Sequence, residues 1–148
     1  MAFKFIGGVE APVVSVLAAT STAFVEGSLV RFDATSGLLE PAVGSSPVVY
    51  GVCLETKTTG SGGGEYVSVQ EMVPGAHFLA DCSGTPTQAM TGDAVDTEGS
   101  SASPTQIDEN STSEGIFRIV KAAYTGVLAD KKLVVEINPQ ATSYAWSA

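Results

Sequence analysis

The stretch Val48–Val73 limits what this chain can fold into more than any other. Its first limb, Val48-Val49-Tyr50-Gly51-Val52-Cys53-Leu54, places Val48, Tyr50, Val52 and Leu54 on one face. The second limb, Glu65-Tyr66-Val67-Ser68-Val69-Gln70-Glu71-Met72-Val73, sets Val67, Val69 and Val73 against Ser68 and Gln70. Period-two alternation in β-branched and aromatic residues is the pattern of half-buried strands. Between the limbs stands Gly60-Ser61-Gly62-Gly63-Gly64. Glycine enters positive φ without steric cost, so the stretch reads as a hairpin. A phosphate loop would need Gly-Lys-Ser/Thr here, but Glu65 comes after the glycines and would repel phosphate.

The rest of the chain has the same punctuation. Sixteen glycines and seven prolines interrupt every apolar run before a third helical turn. Residues Val13–Phe24 put Val14, Val16 and Ala18 on one face. Leu29–Asp33, Leu38–Ala42, His77–Cys82 and Gly115–Ala122 read as further short strands. In Lys132–Asn138 the residues Leu133, Val135 and Ile137 share a face, and Pro139 ends the run. Ser83–Ser113 contains twelve Ser or Thr and reads as turns and loops around Met90–Val95. The expected fold is all-β: a compact small barrel domain with an extended N-terminal arm and long irregular loops. The arm is expected at residues 1–23, the β-rich domain at 24–139 and a tail at 140–148.

The arm itself has two readings. Phe3, Phe5, Ile6 and Val9 are apolar, and Gly7-Gly8 decouples the first three from the domain, as in a mobile arm that orders against a partner. An edge strand folded back on its own domain fits the same residues.

A faint internal repeat adds to the pattern. Gly27-Ser28-Leu29-Val30 resembles Gly92-Asp93-Ala94-Val95, and Gly51-Val52-Cys53-Leu54 resembles Gly115-Ile116-Phe117-Arg118. Tyr66-Val67-Ser68-Val69 resembles Leu133-Val134-Val135-Glu136. Repeated β modules on one chain suggest a pseudo-symmetric barrel.

Charge narrows the function. The net charge is −9, and all of the excess lies between Thr58 and Phe117, which holds nine acids and no Lys or Arg. Such a block repels phosphates, so nucleic acid is not an expected partner. It reads as a solvated outer face. The longest apolar run, Val13–Ala19, is interrupted by Ser15 and is far shorter than the ~20 residues a membrane-spanning helix needs, so no membrane partner is expected. Glu10 and Pro12 interrupt the place where a secretory signal would have its apolar core, so synthesis in the cytosol is expected.

The candidates for chemistry are few. His77 is the only histidine and has no recognisable nucleophile or orienting partner in sequence. Asp93, Asp96, Glu98, Asp108 and Glu109 could offer oxygen ligands, but their spacing does not match the alternate positions of a calcium loop. One histidine and two distant cysteines do not make a zinc site. Cys53 and Cys82 could pair, although mid-strand Cys53 also fits a small buried hydrophobe. Asn110-Ser111-Thr112 has the form of a glycosylation site without an export signal. No catalytic residue, cofactor or metal is therefore expected.

The order of features resembles the small capsid decoration, or cement, proteins of tailed bacteriophages. The resemblance rests on Glu26–Val30, Val49–Leu54, Gly64–Val69, Met90–Val95 and Gly115–Val120, where glycine-led turns precede short valine-rich strands. It implies a β-tulip-like, non-enzymatic protein on the outer surface of the virion, assembled in the host cytoplasm. The major capsid protein would be its partner, and a homotrimer at three-fold or quasi-three-fold sites its assembly. Phe3, Phe5, Ile6 and Val9 would then be the capsid-contact residues of the arm. A tail-tube protein and a secreted carbohydrate-binding module are the alternatives. The Ser/Thr-rich loop and the tail with Tyr144 and Trp146 have no counterpart in the resemblance.

Overall fold

The computed structural model describes residues 3–42, 49–97, 106–112 and 115–138. Their strands are β1 (Lys4–Gly8), β2 (Val13–Leu17), β3 (Ala23–Phe24), β4 (Leu29–Phe32), β5 (Leu39–Pro41), β6 (Gly51–Cys53) and β7 (Lys57–Thr58). They continue with β8 (Tyr66–Glu71), β9 (Ala76–Cys82), β10 (Ala94–Thr97), β11 (Gln106–Asp108), β12 (Phe117–Lys121) and β13 (Lys132–Ile137). Among the described residues the only helical turns are two short 3₁₀ segments, Gln88–Met90 and Leu128–Asp130. The protein is all-β, and the Val48–Val73 hairpin is present as antiparallel β6 and β8.

The expected barrel is present as a closed circuit of five strands, and a second five-stranded sheet repeats its order as a second barrel drawn shut by a single bridge. Strands β9, β11, β10, β12 and β13 close on themselves, because β9 pairs with β11 on one edge and with β13 on the other. Strands β2, β8, β6, β4 and β5 form a second sheet in the equivalent order, and a parallel bridge between Ala18 and Leu39 brings its two ends together. The two circuits correspond strand for strand. Val14 faces Val69 in the first barrel as Phe78 faces Val135 in the second, and Leu17 faces Tyr66 as Asp81 faces Lys132. Gly51 opposite Glu71 matches Phe117 opposite Ile137. Phe32 opposite Leu39 matches Thr97 opposite Ile107. The closing parallel bridge, Ala18 with Leu39, matches Cys82 with Ile107.

Hydrogen bonds outside the ladders repeat as well. The N–H of Gly27 donates to Cys53 O at 2.7 Å, and that of Gly92 to Ile119 O at 2.7 Å. Ser28 N–H donates to Val25 O at 3.1 Å, and Asp93 N–H to Met90 O at 2.9 Å. Ala19 donates to Leu39 O at 2.9 Å, and Ser83 to Ile107 O at 3.0 Å. Gly27 and Gly92 hold φ of 83° and 93°, values that L side chains seldom adopt, which is why glycine recurs there. The faint repeat in the sequence is thus a duplicated fold. Its alignment needs correction, because Cys53 corresponds to Ile119 and Val67 to Leu133. The sequence match sets Cys53 against Phe117 and Val67 against Val134.

Side chains fill each barrel, as they must in one this narrow. Ala18, Phe24, Val30, Leu39, Tyr50, Cys53, Val67 and Val69 form the first interior, with Val14, Val16 and Phe32 packed against it. The second interior uses Phe78, Ala80, Cys82, Val95, Ile107, Phe117, Ile119, Leu133 and Val135, and its cluster extends onto Leu29, Ala42, Val49, Val52 and Met72 of the first barrel. One continuous apolar body therefore joins the two. The expected common face of Val48, Tyr50, Val52 and Leu54 does not hold. Tyr50 packs into the first interior and Val52 into the shared cluster, because β6 begins only at Gly51 and its alternation starts there. Val48 lies outside the described residues.

The segment expected as an arm belongs to both barrels. β2 is the first strand of the first barrel, so the boundary expected at residue 23 falls inside it. β1 crosses over and pairs antiparallel with β9 of the second barrel, Lys4 facing Leu79 and Phe5 facing Phe78. Of the two readings of Met1–Pro12, the structure has the edge strand.

Candidate interaction surface

The four residues expected to reach a partner have different environments. Phe3 is 3% exposed and stacks on Phe117 with ring centroids 5.5 Å apart. Phe5 meets Phe78 edge-on at 5.6 Å, and Ile6 is half-buried. Only Val9 is open to solvent, at 56%. Phe3 cannot serve as an external contact, because its ring is part of the core that β1 completes. A cleft of about 640 Å³ lies beside β1, with Phe3, Phe5, Val52 and Cys53 in its walls and Lys4 and Glu26 among its polar lining.

The acidic block is less solvated than its composition suggests. Asp96 is 4% exposed, accepting hydrogen bonds from Gly115 N–H at 2.6 Å and from the Ser111 hydroxyl at 2.7 Å. Glu109 is 5% exposed and accepts from Gly84 N–H and from the Asn110 amide, both at 2.9 Å. Asp81 is ion-paired with Lys132, and Glu65 lies 3.7 Å from Lys57. Glu71 accepts the Tyr50 hydroxyl at 2.8 Å, and burial together with that bond raises the Tyr50 pKa. The expectation of a solvated acidic outer face is corrected for Asp96 and Glu109, which are buried. Several of these carboxylates are internal acceptors for backbone N–H groups that would otherwise be orphaned. Glu98 and Glu114 lie outside the described residues, as do Tyr144 and Trp146.

The candidate chemical groups are placed apart. His77 Nε2 lies 3.5 Å from Glu136, which is also paired with Arg118, on the outer face of the second barrel. Cys53 and Cys82 are buried free thiols, Cys53 in the first interior and Cys82 in the second. Burial raises both thiol pKa values, and Cys82 reaches about 11 with help from the nearby Glu109 carboxylate. Among the described residues no three His, Cys, Asp or Glu side chains gather as metal ligands would. None of the described helical segments is long and apolar enough to cross a membrane.

What sequence reasoning missed is a contrast between equivalent faces. On the outer face of the second barrel, β9 and β13 carry Asp81 with Lys132 at one end and His77 with Glu136 at the other. The equivalent positions on β2 and β8 are Leu17 with Tyr66, and Val13 with Gln70. Val13 is 61%, Leu17 38% and Tyr66 55% exposed. The outward positions of β9 and β13 carry charge and those of β2 and β8 carry none, on a chain of net charge −9. Lys57 and Glu55 do reach the β8 backbone from its other edge, at Tyr66 O and Ser68 N–H. The signal lay in the sequence Val-Val-Ser-Val-Leu, which has no charged residue at an outward position. Seeing it required the pairing with β8. Comparison of the chain with known protein families, with curated proteins and with solved structures found no match.

Proposed function

We propose that this protein is a capsid decoration protein, binding the outer surface of an icosahedral phage head and stabilising its lattice. The major capsid protein is its partner, and it acts as a homotrimer at three-fold or quasi-three-fold positions. The observation that carries this reading is the outer face of β2 and β8, whose outward positions are uncharged, with Leu17 and Tyr66 exposed side by side at one end and Val13 exposed at the other. A face of uncharged and apolar side chains on a strongly acidic chain suits a protein contact, whose core is poor in charge. The two barrels and the aromatic contacts of β1 supply a rigid body, so little order has to be gained on binding. A ligand that binds only the expanded lattice stabilises it by mass action. The reading assigns no catalytic residue, cofactor or metal.

Imaging expanded, undecorated heads after mixing with excess protein tests it. The expected result is added density at three-fold positions. Heads that stay bare overturn the reading, and self-assembly of the free protein into rings or tubes would favour a tail-tube role instead.

A further inference from the structure

The duplicated barrels allow one to be read as a template for the other. In the second barrel, one edge of β9 carries two strands in succession: β1 along Ala76–Leu79, then β11 at Asp81 and Cys82. In the first barrel, β2 offers the same edge. Its end is met by β5 through the Ala18–Leu39 bridge, the counterpart of β11. Among the described residues no strand occupies the remainder, the counterpart of the β1 slot.

The unfilled groups can be named. Glu71 N–H donates to Pro12 O and Ala18 N–H to Glu65 O, both at 2.9 Å, so residues 12, 14, 16 and 18 turn their backbone groups toward β8. Val13 and Ser15 therefore turn their N–H and C=O groups to the open edge. A charged residue commonly guards such an edge, and β2 has none.

We infer that the Val13–Ser15 edge of β2 accepts an extended segment of another protein as an added antiparallel strand. The occupant is an extended segment with an aromatic residue on its inward face, of the kind that Lys4–Gly8 presents to β9 through Phe5. Val14, which stands where Phe78 receives Phe5, is half-buried and gives such a segment a small apolar seat. The incoming strand would also cover the exposed Val13 side chain beside it. This inference rests on the reading of the β2–β8 face as a contact surface and supplies its mode of binding. It does not depend on the partner being a shell.

A synthetic peptide spanning Phe3–Val9, the segment seated on the twin edge, is the probe. It is titrated against the intact protein and against Ser15→Pro, which removes an outward N–H and leaves the β2–β8 ladder its bonds. Val13→Pro, which removes the other outward N–H, serves if Ser15→Pro does not fold. The expected result is binding to the intact protein that weakens at least tenfold in the proline variant. Equal binding to both would place the peptide elsewhere, for example in exchange for β1 on β9, and overturn the inference. No binding up to millimolar peptide overturns it as well. If the protein alone self-associates and proline disperses it, a second copy is the occupant and the assignment to another protein fails. Expanded heads separate this inference from the functional reading. Heads that bind intact and proline-substituted protein alike sink the edge inference alone. Peptide binding with bare heads sinks only the capsid reading.

Discussion

At the scale of single residues, the packing around β1 makes the sharpest statements. Phe3 is inside the core, so Phe3→Ala is expected to destabilise the fold by about 3–5 kcal/mol in chemical denaturation, as for other buried aromatics. Asp96 and Asp93 are three residues apart and differ in kind. Asp96→Ala leaves Gly115 N–H and Ser111 without their acceptor and is expected to cost about 1–3 kcal/mol, whereas exposed Asp93→Ser should stay within about 0.5 kcal/mol. Backbone geometry separates two glycines in a similar way. A Cβ on Gly92 meets open space but sits at φ 93°, so Gly92→Ala costs the strain alone, about 1–2 kcal/mol. On Gly51 a Cβ would collide with the backbone of Gln70, so Gly51→Ala must push β6 from β8 and cost more.

The buried thiol gives a pH dependence. The pKa of Cys82 is raised from 9.0 to about 11 in the folded protein, so the folded state holds this proton when the unfolded state has lost it. Its contribution to stability is complete below pH 9 and falls as pH rises toward 11. Denaturation midpoints measured across that window should decline less steeply in Cys82→Ala than in the intact protein, and the same slope in both would refute the assignment.

At the scale of elements, the question is what β1 contributes. It lays Phe3 and Phe5 against Phe117 and Phe78 and covers the edge of β9. Deleting residues 1–9 should therefore lower the melting temperature by about 10 °C or more, given roughly 2–4 °C per kcal/mol at this chain length. A free arm would leave it unchanged. The strands themselves were legible, because alternation in β2, β8 and β13 follows from burial and the glycine at many of the turns from positive φ, although Ser21 and Lys131 adopt positive φ without it. The destination of β1 was not. Its partner β9 lies some seventy residues along the chain, and no local pattern distinguishes an apolar arm that docks at home from one that docks elsewhere. Asp96 and Glu109 were misread for a related reason. A carboxylate that caps a buried backbone N–H looks, in sequence, like one that faces water.

At the scale of the whole molecule, the duplication was visible only as a trace. Under the structural alignment Gly27 matches Gly92, Val30 matches Val95 and Val69 matches Val135, while most other paired strand positions keep only their apolar or outward character. Barrel interiors ask for volume and apolarity rather than particular residues, so the repeat survives in spacing while identities drift. The glycines persist because few residues replace them at that φ. The candidate surface emerges from the same comparison, because equivalent faces of two like barrels carry different chemistry. Neither face alone would have drawn notice. The contrast is readable only once Leu17 is set beside Asp81 and Tyr66 beside Lys132.

Equivalence of the two barrels is the claim on which the rest depends, and cross-strand Hα–Hα nuclear Overhauser effects test it most directly. Ser15 with Ser68, and Leu79 with Val134, are opposed pairs between hydrogen-bonded neighbours, where Cα atoms approach to about 4.5 Å. Both contacts should appear in the intact protein, at comparable strength. Finding one without the other, or Ser15 opposite any residue but Ser68, would contradict the duplicated fold.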